Sequence, residues 1–276
     1  SHTDGGSFIF NLDENAPGSL NRPLMCVDKF GREIRVPEGQ ISYLPGRVYY
    51  VMEEEDRQRF DISSFFKLQR PDHLYEYVKD GVRTWDYADF MDCLREIKGW
   101  ALKEDAHFEV ALAALTQLLD RRYPTHDKRR RSILQMINQT LESIFRHFPS
   151  LDREEKGGYR LIDWETRLLF RGPTYNEKAL IIDASLFPPE GDQCDSRLMS
   201  EAFYRGWRRF IVFGLKGQRF HGCRFGPESG GVRIDIYGNS GDYLGSGIDG
   251  LSIYVHGNAQ DQLGQIMKSG KLVIHG

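Results

Sequence analysis

The sequence has no apolar run long enough to span a membrane, and its opening residues, Ser1-His2-Thr3-Asp4-Gly5-Gly6, lack the apolar core of a secretory leader. Cytoplasm is therefore the expected location. The four cysteines, Cys26, Cys93, Cys194 and Cys223, are far apart and include no Cys-x-x-Cys pair. That spacing argues against a disulfide framework, a structural zinc knot or an iron–sulfur cluster. There is no excess of positive charge either. A formal net charge of −3 gives no electrostatic case for nucleic acid. The local basic run Lys128-Arg129-Arg130-Arg131 opens an expected helix and reads as a solvated helix turn.

With 276 residues, 40% of them apolar, the chain can bury one sizeable core or two modest ones, and two structural units are expected. Residues 8–52 alternate short β-rich runs (Phe8–Phe10, Leu24–Val27, Ile34–Val36, Val48–Met52) with turn clusters, as a small antiparallel sheet does. The acidic run Glu53-Glu54-Glu55-Asp56 precedes helical sequence and suits a helix N-terminus. Apolar residues then recur at helical spacing: Phe108, Ala111, Leu112, Leu115, Leu118 and Leu119, followed by Ile133, Ile137, Leu141, Ile144, Phe145 and Phe148. Residues 86–148 are expected to be a helical block, divided at Pro124 and stopped at Pro149. The polar stretch 152–158 suggests a boundary between an N-terminal domain, 1–155, and a second domain, 156–276. Beyond it come a strand over Lys178–Asp183, a turn at Pro188-Pro189-Glu190-Gly191, an amphipathic helix carrying Leu198, Met199, Ala202 and Phe203, and a strand over Arg209–Phe213.

Of the 28 glycines, 16 lie between Gly206 and Gly276, and they are periodic. Gly238, Gly257 and Gly276 are 19 apart, as are Asn239/Asn258, Asp242/Asp261, Leu244/Leu263, Ile253/Leu272, Val255/Ile274 and His256/His275. One period earlier lie Phe225, Gly226, Gly231, Ile234, Ile236 and Gly238, matching Leu244, Gly245, Gly250, Ile253, Val255 and Gly257. Each period ends in an alternating run whose apolar residues share one face, so each is expected to supply one strand. Leu244 and Ile248, with their counterparts Leu263 and Met267, form a second inward pair. The fold class expected is therefore α+β: a mainly helical N-terminal domain with a small β-sheet, then a right-handed single-stranded β-helix (β-solenoid) of 19-residue coils over 219–276. Gly226, Gly231, Gly238, Gly245, Gly250, Gly257, Gly264 and Gly276 are its structural repeat residues. A phosphate-cradling reading of Gly241–Gly247 fails, because these glycines recur in phase and lead into strands rather than one helix. A calcium-binding nonapeptide repeat fails on its period and Asp spacing.

Ile181-Ile182-Asp183-Ala184, Phe187-Pro188-Pro189-Glu190-Gly191, Gly206–Val212, Leu215–Phe220 and the Gly-x-x-Gly-Asp coils together resemble the GXGXG family. That family comprises the last domain of the glutamate synthase large subunit, its stand-alone relatives, and the solenoid subunit of formylmethanofuran dehydrogenase. The resemblance covers about residues 178–276. It implies a non-catalytic scaffold or interaction subunit of a glutamate-synthase-like amidotransferase or oxidoreductase complex. Glutaminase-like and FMN-barrel subunits are then the expected partners, with self-association through an open solenoid end as the alternative. No intrinsic cofactor is expected; FMN and iron–sulfur groups belong to partner chains. In agreement, the chain has no N-terminal cysteine for a glutaminase, no long βα alternation for an FMN barrel and no clustered cysteines. The alternatives are an independent enzyme with its active site between the helical domain and the solenoid, and a solenoid subunit like that of formylmethanofuran dehydrogenase.

Two constellations admit chemistry. His221 and Cys223, with Cys194 upstream, are metal or thiol candidates, although such residues are more often packed at solenoid corners. His256 and His275 occupy equivalent positions, with Tyr237 one period earlier, and read as a stacked column rather than as ligands. Asn239/Asn258 and Asp242/Asp261 read as residues that satisfy turn amides, and Glu190 and Asp192 read equally as turn residues or as the lining of a groove facing a partner. No catalytic residue is assigned.

Overall fold

A computed structural model describes residues 60–276 other than 154, together with the strand backbones 9–12, 24–27 and 33–34. The chain divides into two compact units, Ser1–Met52 and Glu53–Gly276. In the first, β1 (Ile9–Leu12), β2 (Leu24–Val27) and β3 (Glu33–Ile34) pair antiparallel in that order, with Ile9 opposite Val27 and Cys26 opposite Ile34. The expected strand Val48–Met52 and the acidic run Glu53–Asp56 lie outside the described residues.

Among the described residues of the second unit helices come first, and they start earlier than residue 86. They are α1 (Ser63–Lys67), α2 (Pro71–Thr84), α3 (Tyr87–Ala101), α4 (Asp105–Asp120) and α5 (Arg130–Phe145). Pro71 opens α2 at a position where its missing N–H costs nothing. Asp86 and Asp89 cap α3 reciprocally. The central helix, α4, buries Phe108, Val110, Ala111, Leu112, Ala114, Leu115, Leu118 and Leu119, and it packs against α1, α2, α3 and α5. A helix apolar over so much of its circumference must be enclosed. Among the described residues no helix is long and apolar enough to cross a membrane.

The remaining strands make one sheet: β4 (Tyr159–Ile162), β5 (Ala179–Asp183), β6 (Arg209–Phe213), β7 (Arg233–Tyr237), β8 (Asp249–Val255) and β9 (Ser269–Ile274). All six are parallel and adjacent in chain order. A helix, α6 (Asp195–Tyr204), lies between β5 and β6. This is an α/β fold, which corrects the expected single-stranded β-helix. The 19-residue spacing does fix strand register, with Ile234 beside Ile253 and Ile253 beside Leu272. The periods, however, contribute strands to one sheet only, and turns rather than further strands lead back from one to the next.

The physical reason is that helices occupy the sheet's other face. Tyr159, Ala179, Ile181, Ile211, Phe213 and Tyr237 share a core with the helices, whereas Ile162, Leu180, Ile182, Phe210, Val212, Ile234 and Ile236 pack with α6 and the turn layer. Strands buried on both faces read as continuous apolar runs, and β5 and β6 do. The polar stretch around residue 155 is a loop inside the second unit, whose helices and sheet share that first core.

β4 carries a charge at Arg160, which is buried because Glu177 meets it. Arg160 Nε lies 2.7 Å from Glu177 Oε1, and Arg171 grips both Glu177 oxygens at 2.6 and 2.7 Å. The Thr174 N–H donates to Oε2 at 2.7 Å. Burial alone raises the Glu177 pKa, but the Arg171 and Thr174 hydrogen bonds and the charges of Arg171 and Arg160 outweigh it and hold the group at about 2.

In the turn layer, Gly245 and Gly264 adopt left-handed φ of 67° and 59°, at equivalent positions one period apart. Tyr243 and Gln262, two residues before each, do the same at 60° and 62°. Gly257 is needed for a different reason: a Cβ there falls 2.3 Å from the Gly238 carbonyl oxygen.

Two outcomes are expected. Gly257→Ala should destabilise by about 1–3 kcal/mol through overpacking, whereas Gly230→Ala, at a residue with no atom within 4 Å of an added Cβ and an ordinary φ of −52°, should stay within about 0.5 kcal/mol. Urea denaturation of both variants compares them. A carboxylate with a lowered folded pKa stabilises fully above its unfolded value of 4.5 and loses that contribution as pH falls toward about 2. The urea midpoint should therefore drop across that window in the parent protein, and less steeply in Glu177→Gln.

Candidate functional site

The carboxyl edge of a parallel sheet is where α/β proteins commonly place ligands. Here that edge carries a ladder. Tyr237 ends β7, His256 follows β8 and His275 follows β9, each 19 residues after the last, so the sheet register stacks their rings. Tyr237 and His256 have ring centroids 4.6 Å apart, and His256 and His275 lie 5.6 Å apart with planes at 16°.

The last turn of α4 meets this ladder with residues four apart, which share one helix face. Thr116 Oγ1 lies 2.8 Å from Tyr237 Oη. Asp120 places its two oxygens 2.9 and 3.0 Å from His256 Nδ1, and Oδ2 lies 3.3 Å from His275 Nε2. The negative end of a helix favours a cation at this place.

The other His256 nitrogen, Nε2, is 3.3 Å from Asp235 Oδ1. Asp235 is almost wholly buried, and Arg233, two residues back on the same strand face, donates to it from Nε and Nη2 at 2.7 and 2.8 Å. Burial raises the Asp235 pKa, but hydrogen bonds from His256 and Arg233 prevail and hold it below the ordinary carboxylate value. Burial likewise opposes charge on His256, yet its bonds to Asp120 and Asp235 raise its pKa above 6.5. His256 thus bridges two carboxylates through its two ring nitrogens.

One ligand atom each from Asp120, His256 and His275 lie within 4.8 Å of one another. His256 is buried, Asp120 half-buried and His275 exposed, so the cluster opens to solvent on the β9 side. Among the described residues this is the group of histidine, cysteine and acidic side chains able to surround one ion.

The residues singled out as metal or thiol candidates are arranged differently. His221 is fully buried, with Nε2 2.8 Å from Asp195 Oδ2 and Nδ1 3.5 Å from Ser240 Oγ. The composition suggests a catalytic triad, but Ser240 is itself buried, so no substrate reaches it. The trio instead ties the first residue of α6 to the turn layer. Cys194 and Cys223 line a different feature, a cavity of about 140 Å³ beside Arg197 and Arg224. Cys194 Sγ lies 3.1 Å from Ser196 Oγ, Cys223 donates to the Tyr243 carbonyl, and burial pushes the Cys223 thiol up. His221, Cys194 and Cys223 do not converge as a ligand set. The expected turn roles do hold for Asn239 and Asp242, whose side chains accept from the backbone N–H of Asn258 and Asp261.

Sequence reasoning found the histidine column but set it aside, and it missed Asp120 and Asp235. Asp120 is 136 residues from His256 and belongs to no local motif. Asp235 did carry a signal, as an acidic residue within a strand buried on both faces.

No family model matches the chain, and neither the curated proteins nor the solved structures give a match.

Replacing Asp235 leaves a buried histidine facing one carboxylate instead of two and strands Arg233. Asp235→Ala is expected to cost about 3 kcal/mol, read from urea denaturation at neutral pH; a change under about 0.5 kcal/mol speaks against the bridging role.

Proposed function

We propose that this chain binds a divalent transition-metal ion through one oxygen of Asp120, Nδ1 of His256 and Nε2 of His275. The observation that carries the reading is the convergence within 4.8 Å of one ligand atom each from Asp120 on α4, His256 just after β8 and His275 just after β9. Two ligand atoms about 2.1 Å from a common ion stand about 3.0 Å apart at a right angle and about 3.4 Å apart at the tetrahedral angle. From Asp120 Oδ2, the separations of 3.0 Å to His256 Nδ1 and 3.3 Å to His275 Nε2 suit that spacing.

Two imidazoles and one carboxylate favour Zn²⁺, Fe²⁺, Co²⁺ or Ni²⁺ over Ca²⁺ and Mg²⁺, which prefer all-oxygen shells. Asp235 supports the assignment from behind. By accepting the Nε2 proton of His256 it turns the Nδ1 lone pair toward Asp120 and His275, the outer-sphere pattern of histidine metal sites. The ion replaces the Nδ1 proton, and three protein ligands leave it room for water or an exogenous ligand.

A second reading makes the chain a non-catalytic interaction subunit of a glutamate-synthase-like assembly, with flavin and iron–sulfur groups in its partners. Exposed Leu263, Ile266 and Met267, just before the edge strand β9, and Ile274 at its end favour it, because a partner strand can add there. We propose the cytoplasm as the protein's location, in keeping with free Cys93, Cys194 and Cys223. Co-purification of native protein with glutaminase-like and FMN-barrel chains supports the second reading, and a lone monomer counts against it.

For the first reading, chelator-treated protein titrated calorimetrically with Zn²⁺ should bind one ion per chain. Asp120→Ala and His275→Ala should each weaken binding by at least about tenfold, the lower end of what loss of an outer-sphere partner costs. Equal affinity in the double variant rules the site out.

A further inference from the structure

The last repeat is the least buried part of the sheet. No residue of 257–276 is buried, whereas one period earlier Leu244, Ile248, Leu251, Ile253 and Val255 all are. Leu263 and Met267, expected to point inward like Leu244 and Ile248, are exposed. β9 lies at the sheet edge and pairs with β8 alone. Its side chains add modest ties to the preceding repeat, including Ser269 Oγ to Asp249 Oδ1 at 2.9 Å and Lys271 over the Tyr254 ring. Among the described residues, the ion pair joining this repeat to the helices is His275 with Asp120, at 3.3 Å and with the histidine side chain 30% exposed. Such partly exposed pairs hold elements together weakly. A segment with few buried apolar contacts opens at low free energy.

We propose that metal occupancy of the Asp120–His256–His275 site controls this repeat, clamping β9 to the carboxyl end of α4 and to β8; the inference rests on the metal-binding reading. The ion exchanges one weak ion pair for coordination shared by three elements. Any opening that carries His275 away must then break a metal–ligand bond. Opening is suppressed by the factor 1 + [L]/Kd, so the order of β9 follows free metal concentration while the helix-covered strands are unaffected. Leu263, Ile266 and Met267 belong to the same repeat, so metal also decides whether that apolar surface is presented in one fixed arrangement.

Hydrogen exchange read by mass spectrometry on the full chain tests this, with calorimetry on the same samples to establish binding. At free Zn²⁺ about 100 times Kd, amides of β9 should exchange about 100-fold more slowly, with β4, β5 and β6 unchanged and the effect reversed by chelator. His275→Ala, an exposed position, should keep its circular dichroism and lose the slowing; His275→Gln serves as the second variant. Zn²⁺ bound with β9 exchange unaltered overturns the clamp and leaves the metal site standing. Absence of Zn²⁺ binding overturns both.

Discussion

Because helices cover one face of the parallel sheet while α6 and the turn layer cover the other, neighbouring residues on one strand enter different cores. Ile181 and Ile211, side by side on β5 and β6, lie under the helices; Leu180 and Phe210, one residue back, lie under α6. Neither layer is dispensable. Without the helices, Ile211, Phe213 and Tyr237 face water; without the turn layer, Phe210, Val212 and Ile234 do.

The candidate site occupies the border of that cover. Across the helix-facing row Ile181–Ile211–Asp235–Tyr254–Val273, Asp235 interrupts the apolar side chains at β7, and Tyr254 and Val273 on β8 and β9 are only partly covered. A buried acid and a buried histidine survive there because each has polar partners: Arg233 for Asp235, and Asp120 with Asp235 for His256. The Glu109–Arg209 pair, with Tyr159 donating to Glu109, makes a comparable polar link between α4 and β6 at the other end of the helix.

What was legible in the sequence was whatever repeats locally. Spacings of 19 located β7, β8 and β9 and their register, and heptad-like spacing located α4 and α5. The number of faces was harder to read, because a period of 19 fits both a coil with several short strands and a single strand with a long return. The run Arg209-Phe210-Ile211-Val212-Phe213 held the missing clue, since unbroken apolar sequence means burial on both sides. β4 escaped notice because Arg160 breaks its apolar pattern, and its neutralising partner Glu177 lies in a separate loop. Asp120 escaped for the same reason on a larger scale: through-space pairing leaves no trace in local pattern.

Strand order has a consequence for how the molecule assembles. Since each strand from β4 to β9 docks on the one made just before it, every pairing closes a short stretch of chain and none awaits a distant segment. Such an arrangement lowers contact order and lets the sheet grow like a zipper from its helix-backed strands outward. Growth slows toward β9, where each added strand finds less to rest on, so the edge is the last piece to arrive and the first to leave.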